Sequence, residues 1–342
     1  MRSTGLLART ACAAVALALA WAMPPGSARA ADQAPIVMKI TLPTINENVH
    51  EYCKMLAAAV EKDSGGRIKG EVYPASQLGS VPRQIEGLQF GSIQVGVIPP
   101  EFYVGVDERF EVLSAPGLVD SLPHGERIAA DPEVQKLMLG LGASKGLYGD
   151  ALFAALPSFL VSKTPIRTLA DFKGKKLRVL ASQFQIQALD RLGATSVAMS
   201  LGDVLPAIQQ GAIDGAISGM TVFTSMQYQD AAKYVTRTGQ PFIFLIVEVS
   251  QKWRNSLPED LRKIVDEDTK KLAVAINPIS ESFFANAQKE WQQKGGELID
   301  LSPQDQSAMM ESMAGVAADV SKKSPDLAAA YQVVSEAAKR DK

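Results

Sequence analysis

Few residues of this chain have the types and the spacing that catalysis requires. Its 342 residues include two histidines and two cysteines, and neither His50 nor His124 has a second metal ligand or a nucleophile at a useful spacing. The sequence contains no HExxH, Walker or CxxC motif. The glycine-rich segment 140–146 is spaced GxGxxxG and follows a helical pattern, which predicts a helix end. We therefore expect no catalytic residue, no bound metal and no cofactor.

Arg178 is the residue whose chemistry differs most from that of its surroundings. It lies beside Leu177, Val179 and Leu180, a pattern typical of a buried strand, where an unpaired charge is costly. A guanidinium group presents a planar fork of donors that matches a carboxylate. The residues alone leave two interpretations open: an internal salt bridge with an Asp or Glu, or a site for an anionic ligand.

The overall composition is that of a globular protein without a polyanionic partner. Hydrophobic residues make up 46% of the chain and charged residues 21%, which argues against disorder or a coiled coil. The 35 basic and 37 acidic residues provide no general reason to bind nucleic acid. The mature part contains no run long enough to span a membrane.

The first thirty residues have the layout of a secretory signal peptide. Arg2 and Arg9 precede an apolar run, and Ala28-Arg29-Ala30 fits a small-x-small cleavage site; the alternative is an N-terminal membrane anchor. Removal of residues 1–30 leaves 32 basic against 37 acidic residues, a formal charge of −5. Cys53 then stays alone and falls on a helical pattern, so we expect a buried thiol in a periplasmic protein.

Strands alternate with helices along the mature chain, which predicts an α/β fold with a mostly parallel sheet. Strand patterns at 37–42, 68–73 and 92–98 enclose helical patterns at 46–62 and 84–90. The alternation returns between residues 152 and 249, and long helices follow from Pro258 to about Gly295, from Pro303 to Val320 and from Pro325 onward. We expect two α/β lobes with a ligand cleft between them.

Four sequence blocks resemble, in order and spacing, those of the DctP family, the substrate-binding proteins of tripartite ATP-independent periplasmic (TRAP) transporters. The resemblance covers essentially the whole mature chain. Its blocks are SGGRI with VYPASQLG at 64–68 and 72–79, DFKGKKLRV at 171–179, LGAT at 192–195, and AIQQGAIDG at 207–215.

The resemblance implies a two-lobe periplasmic binding protein, type II-like, with a ligand cleft between the lobes and a long hinge-spanning helix. The implied lobe I comprises residues 31–155 and about 245–285; lobe II comprises residues 156–244 and, with C-terminal helices, parts of about 286–342. Such proteins deliver an organic acid to the large and small permease subunits, which an ion gradient drives. In the family the arginine of the KLRV block, here Arg178, holds the ligand carboxylate.

Departures from the family pattern bear on the identity of the ligand. Ser158 stands where many acid-binding members carry a second arginine, and Leu201 replaces a frequently aromatic residue. Pro99 and Phe102 follow a strand that in relatives often ends in a small polar residue. These changes favour a monocarboxylate with an apolar or aromatic body over a dicarboxylate or sialic acid.

Five further residues complete the candidate binding set, most with a structural alternative. Ser218 and Thr221 either bind ligand oxygens or cap local backbone, and Phe223 either stacks on the ligand or fills the core. Gln185 lies near a helix N-terminus that favours an anion, or in an exposed first turn. Thr44 follows the first strand and is included with them.

Two other functions stay open from the sequence. One is an extracytoplasmic sensor that presents its ligand-bound surface to a signalling partner. The other is a hydrolase on a similar two-lobe scaffold, against which the missing nucleophile–base motif argues.

Overall fold

The structure, a computed structural model, describes residues 34–340. The predicted signal peptide at residues 1–30 lies outside the described residues. Ten strands occur in the described part. They are β1 Ile36–Thr41, β2 Ile68–Tyr73, β3 Val95–Ile98, β4 Leu147–Ser162, β5 Lys176–Val179, β6 Thr195–Ala198, β7 Gly215–Gly219, β8 Tyr234–Arg237, β9 Phe242–Ser250 and β10 Glu297–Asp300.

Helices separate most of these strands. In chain order they are α1 Asn48–Asp63, α2 Val81–Phe90, α3 Leu122–Ala130, α4 Pro132–Gly140, α5 Gln183–Arg191, α6 Leu201–Gln209, α7 Met220–Ser225, α8 Gln251–Ser256, α9 Glu259–Ala275, α10 Asn277–Gln293, α11 Pro303–Met313, α12 Val316–Ser321 and α13 Pro325–Arg340. Short 3-10 turns at Pro100–Tyr103 and Glu108–Ser114 follow β3.

The strands form two sheets that meet at β4. The first sheet has the order β2-β1-β3-β9-β4, and the second continues from β4 through β7 and β5 to β6. In addition, β8 pairs with β4, and β10 pairs with β8. β1, β2 and β3 are parallel to each other, as are β5, β6 and β7, while β9 and β4 run antiparallel to their neighbours. The predicted α/β class is confirmed, with antiparallel crossing strands added at the centre.

β4 is the strand that connects the two sheets. Residues 147–157 of β4 pair with β9, and residues 158–162 pair with β7 and β8. The exchange of partners occurs between Pro157 and Ser158. Proline has no backbone N–H to donate, so a change of partner at this point leaves no donor of Pro157 unpaired.

Hydrophobic clusters pack on both sides of both sheets. One cluster on the first sheet is closed by α12 and α13, with Val320 and Val334 fully buried. The other is closed by α1 and α9, and Cys53 is a buried free thiol within it. On the second sheet, one cluster contains Trp291 of α10 and the other packs α5 and α11 against β5 and β7.

The boundaries of α1 differ slightly from the sequence prediction. The helix begins at Asn48 rather than at residue 46, because Asn46 has a left-handed backbone with φ 54° and Glu47 is the N-cap. Val49, Cys53, Leu56 and Val60 lie on its buried face, as the 3.6-residue period predicts.

The long helices of the C-terminal part are interrupted. The segment predicted as one helix from Pro258 to about Gly295 is divided at Ile276 into α9 and α10. Pro278 lies in the first turn of α10, where its missing N–H costs least. The segment from Pro303 to Val320 is likewise divided, since Gly315 has φ 80° between α11 and α12.

Within residues 34–340, no helix is both long and apolar enough to cross a membrane. The same residues contain no group of three or more His, Cys, Asp or Glu side chains arranged to hold a metal ion.

Candidate functional site

A cavity of about 60 Å³ lies where the two sheets meet. This volume exceeds the roughly 10–15 Å³ that one water requires, so it can hold several waters or a compact organic molecule. Most of the lining residues follow the carboxyl ends of β1, β3, β5 and β7, which is the usual ligand-binding edge of parallel strands. They are Pro43, Thr44, Glu47, Asn48, Val49, Pro99, Phe102, Ala155, Leu156, Arg178, Leu180, Leu201, Ser218, Gly219, Thr221, Val222, Ile243 and Leu245.

Arg178 reaches the cavity from β5 and is 1% exposed. Its Nε donates to the carbonyl oxygen of Met199 at 3.1 Å, and its Nη1 donates to that of Ile217 at 3.2 Å. These bonds hold the guanidinium plane in place without neutralising it. Among residues 34–340, Arg178 forms no salt bridge with an Asp or Glu. The internal salt bridge left open by the sequence is therefore not formed within that range.

Burial is the main influence on the charge of Arg178. It lowers the pKa of the guanidinium to about 10, because the charged form loses hydration. The group is still cationic at neutral pH. A buried cation without a counter-ion in the described chain is costly unless an anion accompanies it, and the cavity is where such an anion would fit.

Polar side chains of α1, α7 and β7 line another part of the cavity wall. The hydroxyl of Thr221, in α7, donates to Asn48 Oδ1 at 3.3 Å. Asn48 Nδ2 in turn donates to Ser280 Oγ of α10 at 3.0 Å. Ser218 is 7% exposed and lines the same cavity from β7. Asn48 thus joins α1 to two helices that pack with the second sheet.

Glu47 also lines the cavity, at the N-terminus of α1, and is 2% exposed. Its Oε1 accepts from Thr44 Oγ1 at 2.6 Å and from the His50 N–H at 3.0 Å, and its Oε2 accepts from the Val49 N–H at 3.0 Å. Burial raises the pKa of this carboxyl, while the three hydrogen bonds oppose that rise. Within the described residues, Glu47 forms no ion pair.

The rest of the cavity wall is apolar. Leu201 at the start of α6, Pro99 and Phe102 after β3, and Leu156 of β4 lie there. Seven of the ten residues predicted for the site are brought together in this cavity: Arg178, Ser218, Thr221, Leu201, Pro99, Phe102 and Thr44.

Three predicted site residues lie elsewhere. Phe223 is fully buried in the core, with its ring centroid 5.6 Å from that of Tyr228 and 6.3 Å from that of Trp291. Ser158 is also fully buried, and its Oγ donates to the carbonyl oxygen of Pro241 at 2.6 Å. Neither side chain lines the cavity.

Gln185 has a structural role in the turn after β5. Its Oε1 accepts from the Leu180 N–H at 3.1 Å, and it borders a separate small cavity of about 20 Å³. The N-terminus of α5 does hold an anionic group, as helix electrostatics favour, but the group is Glu111 of the same chain. Glu111 Oε2 accepts from the Gln183 N–H.

Glu47 and Asn48 are the polar residues of the cavity that the sequence prediction did not include. Both lie beside the start of α1, where the turn after β1 brings them to the carboxyl edge of the first sheet. The sequence signal for both residues is this position in the turn after β1, which they share with the predicted site residue Thr44. Glutamate is not among the favoured N-cap residues, so its role there was not evident.

The sequence of this chain is similar to those of known bacterial solute-binding proteins. The model of the DctP family, described as bacterial extracellular solute-binding protein, family 7, matches residues 41–323. The C4-dicarboxylate-binding periplasmic protein DctP of Rhodobacter capsulatus is 25% identical over 256 residues, 73% of this chain and 76% of that protein. The uncharacterized protein YiiZ of Salmonella typhimurium is 27% identical over 231 residues, 67% of this chain and 71% of that protein.

Solved structures of similar fold carry different acids. The sugar acid binding protein DctPAm of Advenella mimigardefordensis, in complex with galactonate, has a TM-score of 0.86 at 20% identity and covers 91% of this chain and 100% of its own. TRAP periplasmic solute-binding proteins of Desulfovibrio salexigens with orotic acid and of Shewanella oneidensis with succinate have TM-scores of 0.82 and 0.83. The Desulfovibrio protein is 23% identical and covers 90% of this chain and 99% of its own. The Shewanella protein is 22% identical and covers 89% of this chain and 100% of its own.

The two sheets joined by crossing strands, with a cavity between them, define the fold of a two-lobe TRAP periplasmic solute-binding protein. The chain belongs to the DctP family of bacterial extracellular solute-binding proteins, family 7. This confirms the fold class and the family that the four sequence blocks predicted. The family consists of solute receptors rather than enzymes.

Proposed function

We propose that this protein is a non-catalytic periplasmic receptor that captures an organic acid between two lobes and delivers it to a TRAP permease. The ligand carboxylate pairs with Arg178, and Ser218 and Thr221 contribute hydrogen bonds. The proposed lobes are residues 31–155 with about 245–285, and residues 156–244 with parts of about 286–342. Helices α12 and α13 belong with the first of these lobes, because they close a hydrophobic cluster on the first sheet. The change of β4 partners at Pro157 and Ser158 supports this division.

The observation that supports the proposal most directly is that Arg178 is buried at the cavity without a carboxylate partner among the described residues. It is 1% exposed, it is held by two carbonyl oxygens, and within residues 34–340 it has no carboxylate partner. Of the described residues that line the cavity, it is the one Lys or Arg. A planar guanidinium is suited to a bidentate bond with a carboxylate, which would supply the missing counter-charge.

The lining favours a monocarboxylate with an apolar or aromatic body. A single guanidinium serves one carboxylate, and Pro99, Phe102, Leu201 and Ile243 offer apolar contacts to the remainder of the ligand. Similar proteins bind acids as different as orotic acid, succinate and galactonate. The choice among acids therefore depends on local lining residues rather than on the fold.

A thermal-shift panel tests the ligand class. Its members are C4-dicarboxylates, sugar acids, branched 2-oxo acids and aromatic acids. A ligand present at 100 times its Kd stabilises the folded state by about 2.7 kcal/mol. We expect branched or aromatic monocarboxylates to raise Tm most. A dicarboxylate as the sole strong hit would contradict the proposal.

Substitution of the arginine tests the carboxylate contact. We expect Arg178→Ala to weaken binding of the best acid by about 2–5 kcal/mol, roughly 30- to 4000-fold, because the carboxylate loses its buried partner. Arg178→Lys keeps the charge but loses the planar fork, so its loss should be smaller. Isothermal titration calorimetry measures the affinities, and circular dichroism verifies folding. Unchanged affinity in folded Arg178→Ala would remove Arg178 from the site.

Two alternatives have their own tests. A sensor would bind the same acid without transport, and adjacent genes for a large and a small membrane permease favour transport over sensing. A hydrolase on this scaffold would convert its ligand, so turnover of the bound acid by purified protein would support that alternative.

A further inference from the structure

We propose that Glu47 selects the distal group of the ligand: it accepts a hydrogen bond from a hydroxyl or ammonium group at the end opposite the carboxylate and rejects a second carboxylate. The inference rests on the proposed function, since it assumes that the first carboxylate pairs with Arg178. It narrows the substrate class to monocarboxylates that carry a hydrogen-bond donor.

Two buried groups of opposite charge line the same small cavity. Arg178 is 1% exposed and Glu47 is 2% exposed, and both border the space of about 60 Å³. Within residues 34–340 neither group has an ion-pair partner, so they do not neutralise each other. A ligand that satisfies both must be anionic where it meets Arg178 and must offer a donor where it meets Glu47.

Glu47 has accepting capacity left for a ligand. Its Oε1 already accepts from Thr44 Oγ1 and the His50 N–H, whereas Oε2 accepts from the Val49 N–H alone. An ionised carboxylate offers about four lone-pair positions, so one remains on Oε2. The hydrogen bonds from Thr44 and from the N–H groups of Val49 and His50 hold the carboxylate in one orientation. The unused lone pair on Oε2 is therefore preorganised to accept a hydrogen bond from a ligand.

The charge of Glu47 also opposes certain ligands. A second carboxylate beside it would bring two like charges together in a space from which water is mostly excluded. Such like-charge contacts are strongly unfavourable in desolvated sites. Glu47 would therefore weaken the binding of dicarboxylates, although Arg178 of the same cavity can pair with their first carboxylate.

The capping role of Glu47 must be separated from ligand selection, because loss of the cap alone would disturb α1. Asp and Asn are both favoured N-cap residues and have nearly the same size. Glu47→Asp keeps the cap and the charge, whereas Glu47→Asn keeps the cap and removes the charge. A difference between these two variants reports charge rather than helix capping.

A four-carbon probe series isolates the distal group. Butyrate, 4-hydroxybutyrate, 4-aminobutyrate and succinate share one carboxylate and differ at the other end. For the wild type at pH 7.5, calorimetry should show 4-hydroxybutyrate and 4-aminobutyrate binding more tightly than butyrate. Succinate should bind about tenfold or more weaker than 4-hydroxybutyrate.

The variants should change this order in opposite ways. In Glu47→Asn we expect succinate to bind about tenfold tighter and 4-aminobutyrate about tenfold weaker than in the wild type. Glu47→Asp should keep the wild-type order. Equal preferences in the Asn and Asp variants, or succinate as the preferred probe of the wild type, would overturn the inference.

The outcomes separate this inference from the proposed function. If no probe binds, or if binding is unaffected by Arg178→Ala, then the arginine contact itself has failed and the inference fails with it. If binding depends on Arg178 but succinate and 4-hydroxybutyrate bind equally well, then only the role of Glu47 is overturned.

Discussion

At the scale of single residues, the buried charged groups of this protein differ in what compensates them. Arg178 and Glu47 border the cavity, where a ligand can reach them. Glu101, by contrast, does not line it and is 2% exposed; its carboxyl accepts a hydrogen bond from Ser114 Oγ. Burial raises the pKa of Glu101 to about 7, with a smaller contribution from the nearby Glu111 carboxyl.

The raised pKa of Glu101 predicts a pH-dependent stability. The folded state holds its proton more strongly than the unfolded state, so the stabilisation is complete below pH 4.5, the ordinary pKa, and is lost as pH rises to about 7. Glu101→Gln removes this titration. We expect the variant to gain about 3 kcal/mol relative to the wild type between pH 4.5 and pH 7.5.

Urea unfolding at a series of pH values measures this difference. Glu108→Gln, a change at an exposed position of the following 3-10 turn, Glu108–Ser114, is the control and should leave the wild-type profile in place. A constant difference between Glu101→Gln and the wild type across the whole pH range would show that Glu101 does not titrate with folding.

At the scale of elements, α4 and β4 approach each other closely at a glycine. A Cβ placed on Gly149 would lie 2.6 Å from the Cα and 2.7 Å from the carbonyl oxygen of Leu139. We expect Gly149→Ala to destabilise the protein by about 1–3 kcal/mol, because the backbone of α4 must move. Denaturant unfolding measures the change.

Gly140 provides the matched control for this contact. It ends the same helix, and a Cβ there meets no heavy atom within 4 Å. Gly140→Ala should therefore be neutral or stabilising by up to about 1 kcal/mol. If the two variants lost the same stability, the close approach of α4 and β4 would not be the cause.

The hydrogen bonds of Asn48 couple α1 to α7 and α10. Asn48 is 2% exposed and bonds to both Thr221 and Ser280. Asn48→Ala leaves these hydroxyls without their partner, so a loss of about 1–3 kcal/mol is expected. In a double-mutant cycle with Thr221→Val, ligand-free protein should show a coupling energy of about 0.5–3 kcal/mol. Additive single losses would mean that the two side chains do not interact in solution.

At the scale of the whole molecule, the proposed function requires the lobes to open and close. Strand β4 is continuous through both sheets, so closure would occur by bending where β4 changes partners, between Pro157 and Ser158. We expect small-angle X-ray scattering to show a smaller radius of gyration with saturating acid than without it. Arg178→Ala should show no such decrease at the same acid concentration. An unchanged radius in the wild type would contradict closure on the ligand.

Much of the fold could be predicted because it depends on local patterns. The strand at Ile68–Tyr73 is found as predicted, and the buried face of α1 follows from its helical period. The divided helices at Ile276 and Gly315 were missed. A proline in the first turn and a single left-handed glycine interrupt a helix without interrupting its hydrophobic pattern.

Only part of the site could be predicted, because the sequence does not show in which direction each side chain points. Thr221 and Phe223 are two positions apart on α7, which places them about 200° apart around the helix, so one faces the cavity and the other the core. Ser158 lies on the crossing strand, but its hydroxyl bonds to Pro241, 83 residues away. That contact depends on how β4 meets the turn before β9, which neighbouring residues do not encode.

By itself, the sequence determined the class of protein. Alternating strands and helices, four family blocks and a lone arginine in a buried strand were enough, because each is a local pattern or a short motif. Only the tertiary structure decided which charges share a space. Arg178 and Glu47 are 131 residues apart in the chain, and their placement around one cavity follows from the meeting of two sheets. The chemistry of selection therefore arises from packing, which brings distant groups into one desolvated site.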